Sequence, residues 1–217
     1  MGSVFRSFPE LVSRLGLDVR HLVHVGAHQG EEMPYYRMAG VGHVTLVEPI
    51  PRLVAALRRT HPDATVIEAA CASTPGRARL HIPRRTNMAT LATPQTTDGR
   101  TRAVDVEVTT LAHIQAAAEV APDAAVIDAQ GRELDVLDGA DLASLDLVVV
   151  ETCTVADPTM ASPHRAVVER MAAAGFTEAD RWVRDYAFVA RWARGPGQPA
   201  PGPGEVRDVV FTREEQR

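Results

Sequence analysis

Residues 23–30 read Val-His-Val-Gly-Ala-His-Gln-Gly, and Glu48 closes the run Val-Thr-Leu-Val-Glu eighteen residues beyond Gly30. An apolar run that breaks at Gly26 and Gly30 lets the backbone turn sharply from strand to helix and approach a ligand closely. A carboxylate ending the next apolar run can accept both hydroxyls of a ribose. The glycines follow Gly-x-x-x-Gly rather than the dinucleotide pattern Gly-x-Gly-x-x-Gly, so there is no clear cradle for a pyrophosphate. The chemistry that fits is a nucleoside ligand without phosphates, such as S-adenosylmethionine.

A second set of groups lies in Ile127-Asp128-Ala129-Gln130-Gly131-Arg132-Glu133-Leu134. A buried strand there delivers Asp128 and Gln130 to the carboxyl end of a parallel sheet, where such sheets bind ligands. Gly131 supplies the turn, and Glu133 falls in the first turn of the next helix, where the dipole favours a carboxylate. Glu151 ends the apolar run Val148-Val149-Val150 on the same rim. A carboxylate or imidazole in that place can take a hydroxyl proton as the oxygen attacks. Structural readings stand beside these: Glu48 as the cap of a strand end, Asp128 as an acceptor of turn amides, Glu133 as a helix-end carboxylate. His24, beside a buried strand, reads as a hydrogen-bonded structural residue. His28, Asp128 and Glu151 could together suit magnesium or manganese. No local ligand spacing supports that set, and no metal is assigned.

Alternating strands and helices position these groups. Ser7–Leu15 reads as an amphipathic helix within an N-terminal extension over residues 1–20, with Phe8, Leu11, Val12 and Leu15 at helical spacing. Strands are expected at 21–25, 43–47 and 65–69, with crossover helices at 31–39 and 51–60, the second opened by Pro51. Strand-like alternation at 77–82 and 104–108 flanks a polar segment, 83–102, that reads as a substrate loop or lid. A helix at 111–120, a strand at 124–127, a helix at 132–137, a strand at 145–150 and a helix at 162–174 complete the alternation. Two further strands, 182–192 and 206–212, flank a Gly/Pro-rich loop at 195–204 and read as an antiparallel pair. The expected fold is α/β: a mostly parallel, doubly wound sheet with a C-terminal antiparallel strand pair, in a single domain spanning residues 1–217.

At 217 residues the chain has ample length to bury a core. Its net charge is −5, and its basic residues are scattered rather than striped along one face. That composition speaks against a nucleic-acid partner. All 23 basic residues are arginine, which removes lysine Schiff-base and P-loop chemistry. Two cysteines make no disulfide framework. With no charged-then-apolar leader and no apolar run of bilayer length, the expectation is a soluble cytoplasmic protein without membrane contact. The oligomeric state stays open.

The glycine turn, Glu48 before Pro49, the Asp128–Gly139 block and the strand-end Glu151 together resemble the FkbM family of S-adenosylmethionine-dependent methyltransferases. The likeness runs from about Leu22 to Phe176 and is most specific in the Asp128–Gly139 block. Asn87-Met88-Ala89-Thr90-Leu91 is similar to a middle segment these proteins often carry. His24 and His28 stand where many members have Asp and Asn, so the His-Val-Gly-Ala-His form looks like one branch. Arg132 stands where a small residue is usual, and Cys153 follows the strand-end acid. The resemblance implies a class I Rossmann-like fold and methyl transfer, usually to a hydroxyl of a sugar or other secondary metabolite. It implies that Gly26, Ala27, His28 and Gly30 line the methionine part of the cofactor, that Glu48 holds the ribose, and that Ala69 and Ala70 lie near the adenine. Asp128 would sit closest to the sulfonium, with Glu151 and His28 as the other catalytic candidates. Asn87, Thr90, Gln130 and Glu133 would face the acceptor, a small molecule or glycan. N-methylation of an amine or amide, or a non-catalytic binding role, would use the same fold.

Overall fold

A computed structural model of the chain describes residues 4–83, 89–91, 101–155, 161–185 and 203–213. Its main sheet has the strand order β10-β11-β8-β7-β1-β2-β3. These strands are β1 (His21–Val25), β2 (His43–Val47), β3 (Thr65–Ile67), β7 (Ala124–Ile127), β8 (Leu147–Cys153), β10 (Phe176–Asp185) and β11 (Glu205–Arg213). A two-residue strand, β9 (Ser162–Pro163), pairs with β8 off this path. β1 is parallel to β2 and β7, and β7 is parallel to β8. β11 is inserted between β8 and β10 and runs antiparallel to both. This is the mostly parallel sheet with a C-terminal antiparallel pair that the sequence led us to expect.

Burial explains why the central strands read as short apolar runs. All residues of β1, β7 and β8 are buried, because the sheet is covered on both faces. On one face, α4 (Leu111–Ala117), α5 (Glu133–Asp138) and α6 (His164–Ala173) place Leu111, Ile114, Val136, Leu137, Val167 and Met171 against Val23, Val25, Ile127 and Val148. On the other, α1 (Phe8–Leu15), α2 (Met33–Met38) and α3 (Pro51–Thr60) pack Phe8, Leu11, Tyr36 and Leu57 against Leu22, Leu46, Val126 and Val149. The N-terminal segment joins the second face through Phe5, whose ring meets Phe8, Tyr36 and Trp182. Trp182 packs against the same cluster, donating its indole N–H to Ser7 Oγ at 2.7 Å.

Several boundaries differ from the sequence reading. β8 runs on through Glu151 to Cys153, and α4 ends at Ala117 rather than at residue 120. Three further differences have a plain physical cause. α2 begins at Met33 rather than Glu31, because the Glu31 carboxylate turns back to accept the Gln29 amide and to pair with His28. β3 ends at Ile67; the chain then leaves the main sheet, and β4 (Ala70–Cys71) pairs with β6 (Arg102–Thr109). With β5 (Gly76–Ile82), these form a second sheet of order β4-β6-β5. It encloses a small core of Leu80, Ile82, Val106 and Val108 against Ile50, Leu53 and Ala70. β10 begins at Phe176, six residues before the expected start at Trp182. Its outward face is polar, so apolar alternation does not announce it.

Candidate active site

The first rim is built where β1 and β2 end. Gly26 has φ +83°, and a Cβ there would lie 1.9 Å from the Asp128 carbonyl oxygen. No side chain fits, so the β1 turn and the β7 turn touch backbone to backbone. The amides of Gly26 and Ala27 both bond the Val47 carbonyl, at 2.9 and 3.1 Å, tying the turn to β2. Glu48, directly after β2, is 4% exposed. One of its oxygens accepts the His28 amide at 3.0 Å and the other the Ile50 amide at 2.9 Å. Burial outweighs those two amides and raises its pKa to about 7. Each oxygen keeps a lone pair for a further donor, which is what two ribose hydroxyls require. Ala69 and Ala70, both 6% exposed, lie where the chain passes from β3 into β4.

His28 holds φ +47°, and its imidazole reaches Glu31 at 3.3 Å. Burial pulls the imidazole pKa down, but the Glu31 hydrogen bond and the charges of Glu31, Glu48 and Asp128 outweigh it and raise it. His24 lies beneath, 3% exposed, with its Nδ1 3.1 Å from the Tyr36 hydroxyl. Burial lowers its pKa to about 4, so it is a neutral packing residue.

The second rim repeats the device at β7. Gln130 also has φ +47°, followed by Gly131 at +92°. A non-glycine residue in this region is strained, and such strain clusters at ligand sites. The turn throws Asp128 and the Gln130 side chain to one side, where Gln130 Nε2 donates to Asp128 Oδ1 and, at 3.0 Å, to Glu151 Oε2. Asp128 and Glu151 are themselves hydrogen-bonded. Burial raises both carboxyls, and the Asp128 charge adds to the push that takes Glu151 well above the usual range. Thr90 approaches from the middle segment, its hydroxyl donating to the Gln130 carbonyl at 2.6 Å. Asn87 lies outside the described residues.

Glu133, fully buried, turns its carboxylate into its own loop. Oε1 accepts the Ala129 and Gly131 amides at 3.0 Å each, and Oε2 the Ser162 amide at 2.6 Å. Burial still raises its pKa to about 7. Asp128, Glu133 and Glu151 bring oxygen atoms within 4.8 Å of one another. His28 is not part of that group. Backbone amides hold Glu133, and Gln130 and an arginine hold Glu151.

That arginine, Arg184 of β10, is one of two groups the sequence reading did not single out. Its Nη2 donates to Glu151 Oε1 at 2.7 Å and to Asp208 Oδ2 at 2.9 Å. Asp208 is 5% exposed on β11, and its pKa is raised by burial to about 6. A signal was present: Asp208 occupies the apolar phase of Val206-x-Asp208-x-Val210, where an unpartnered charge is costly.

The glycine turn, the strand-end Glu48 and the Asp128–Glu151 rim coincide with a match to the methyltransferase FkbM domain over residues 24–188. The chain belongs to the FkbM methyltransferase family. Its methyl donor is S-adenosylmethionine. No curated protein sequence matches it. Among solved structures, a candidate RNA methyltransferase from Pyrococcus horikoshii superposes with a TM-score of 0.53 at 14% identity, covering 98% of this chain and 82% of that one. A Thermoplasma acidophilum protein gives 0.54 at 9% identity, with 98% and 90% covered. A Burkholderia thailandensis 1,6-didemethyltoxoflavin N1-methyltransferase with bound S-adenosylhomocysteine gives 0.47 at 14%, with 98% and 80% covered. The fold is that of the class I methyltransferases. Among the described residues, no helix is long and apolar enough to cross a membrane.

Proposed function

We propose that this FkbM-family methyltransferase acts on a hydroxyl of a small hydroxylated metabolite or sugar. The observation that carries the reading is a pair of buried polar atoms without partners among the described residues, Gln130 Oε1 and Arg184 Nε. A third such atom, Arg132 Nε, lies on a side chain paired with Asp135. Gln130 and Arg184 hold opposite oxygens of the same Glu151 carboxylate. One unfilled acceptor and one unfilled donor match a hydroxyl, which donates one hydrogen bond and accepts others.

Nucleic acid is not the partner in this reading. Most exposed arginines among the described residues are neutralised by carboxylates, as in Arg37–Asp63, Arg77–Glu107, Arg79–Asp105 and Arg165–Glu169. The unpaired Arg6, Arg52, Arg59 and Arg102 are spread over three elements. A phosphate backbone needs unneutralised cations along one face.

When bound, S-adenosylmethionine supplies an electrophilic methyl on a positively charged sulfur. Glu48 would hold the ribose, the Gly26–Gly30 turn would line the methionine part, and Ala69 and Ala70 would lie near the adenine. Asp128, partly open to the site, would face the sulfonium and, in its ionised form, take the acceptor's proton, with Glu151 and His28 beside it. Glu133 keeps the Asp128 turn in shape, and Thr90 fixes Gln130 on the acceptor side. Positioning is the main contribution of such a site.

The test is release of S-adenosylhomocysteine over a panel of sugars, polyols and amines, with the methylated atom located by mass spectrometry. Asp128→Asn nearly preserves shape and should lower turnover by about 10²- to 10⁴-fold while the fold persists. An unchanged rate removes Asp128 from the reaction, and methylation confined to amines replaces the hydroxyl reading with N-methyl transfer.

A further inference from the structure

Arg184 and Asp208 lie on the C-terminal strand pair, outside the sequence motifs of the two rims. While the Arg184 Nε is open to the proposed acceptor, its Nη2 serves a second purpose. β11 places Asp208 directly opposite Glu151 of β8. From β10, a single Arg184 nitrogen holds both carboxylates, and Gln130 then links Glu151 to Asp128. The contacts form one unbroken chain, Asp208–Arg184–Glu151–Gln130–Asp128. We propose that Arg184 and Asp208 are positioning residues: through this chain the C-terminal hairpin sets the charge carried by the Asp128–Glu151 pair that faces the donor's sulfonium. The proposal rests on the placement of Asp128 beside the donor.

Charge, not only packing, is the currency of this contact. The groups facing Glu151 are Asp128 beyond β7, Glu133 on α5, Asp208 on β11 and Arg184 on β10. Those facing Asp128 include Gln130, Arg184, Glu151 and His28, and the buried Tyr36 hydroxyl senses Asp128 and Asp208. Beside burial, the three acids favour a protonated Glu151, and Arg184 is the charged group that opposes them, with the Gln130 amide bonded to the other oxygen. Arg184 and Asp208 therefore act on the pair with opposite signs, although they are bonded to each other. Loss of a merely structural contact would not distinguish them by sign, since either deletion loosens the same hairpin.

Two measurements on the full chain use this difference. In a carboxyl-carbon NMR titration, with Glu151 assigned through Glu151→Gln, Arg184→Met should raise the Glu151 midpoint by about one pH unit or more. Asp208→Asn should lower it, and Arg184→Lys, which keeps the charge, should stay within about half a unit of wild type. In calorimetry from about pH 6 to pH 9, the preference for S-adenosylmethionine over its uncharged-sulfur product should set in at higher pH in Arg184→Met and at lower pH in Asp208→Asn. Thermal melts establish that each variant is folded. Midpoints that stay fixed in both variants, or move in the same direction, overturn the proposal while leaving the wild type's cofactor preference intact. A wild type with no such preference at any pH fails differently: it removes Asp128 from the sulfonium and takes the proposal with it.

Discussion

Glu48 and Glu151 are both buried carboxylates toward the carboxyl side of parallel strands, Glu48 directly after β2 and Glu151 within β8, 4% and 5% exposed, yet their partners differ in kind. Glu48 is held by two backbone amides, those of His28 and Ile50. Glu151 is held by two side chains, Gln130 and Arg184, which come from other loops and strands. Any residue supplies a backbone amide, so the cofactor rim survives substitution of its neighbours provided the turn keeps its shape. The acceptor rim depends on the identity of residues far apart in the chain. The proposed cofactor end of the site is thus fixed by backbone geometry, and the proposed acceptor end is adjustable one side chain at a time.

The sharpest way to break this contrast is at the point where the rims touch. Gly26→Ala puts a methyl 1.9 Å from the Asp128 carbonyl oxygen at a φ of +83°. Left-handed strain plus forced displacement of the β7 turn should destabilise the protein by about 3–5 kcal/mol, measured by urea unfolding. It should damage both rims together. Loss of cofactor affinity without loss of stability would show that the turn can relax, and the rims would then be separable.

Glu48 sharpens the comparison through pH. Its pKa is raised to about 7, so the cost of its charge in the folded state grows as pH rises from the unfolded value toward 7 and is constant above. Stability of Glu48→Gln relative to wild type should therefore increase across that interval. Cofactor affinity moves the other way, because the ionised carboxylate is the better acceptor for ribose hydroxyls. Binding of S-adenosylhomocysteine, whose sulfur is uncharged, should tighten about tenfold between about pH 6 and pH 8, and Glu48→Gln should flatten the profile. A wild-type affinity that is level across this range would release Glu48 from the ribose.

The same division governs what the sequence reveals. β1, β2, α3 and β7 are read from the sequence with their observed ends, because buried parallel strands are short apolar runs punctuated by glycine and proline. Gly26, His28, Gly30 and Glu48 are legible together because their spacing is local, Asp128 and Gln130 because they follow a buried strand, and Glu151 because it breaks an apolar run, although β8 continues past it to Cys153. Arg184 and Asp208 are not, since their meaning comes from β11 entering between β8 and β10, a pairing that no local spacing encodes. Glu133 is legible as a residue of the first helical turn, but its hold on the Ser162 amide arises only when α5 meets the end of β8 through β9. β10 escapes at its start because a strand with one polar face gives only half of the usual signal.

Thr90 carries the smallest expected effect and the most selective one. Its side chain is 4% exposed, and it donates to the Gln130 carbonyl at 2.6 Å while its backbone bridges to His81 of β5. Among its described residues, the middle segment thus reaches the Gln130 rim through the Thr90 hydroxyl, while Glu48 is held by the His28 and Ile50 amides. Thr90→Val keeps the shape and removes that donor, leaving a strained Gln130 carbonyl without its partner, at a cost of about 1–2 kcal/mol. Gln130 also holds Asp128 and Glu151, so the loss should appear as a raised Michaelis constant for the acceptor or a lower turnover. Cofactor affinity should stay within about twofold, since separate sites with no shared partner behave additively. If S-adenosylhomocysteine binding weakens in step with turnover, the two rims share Thr90, and the division between a backbone-held cofactor end and a side-chain-held acceptor end does not hold.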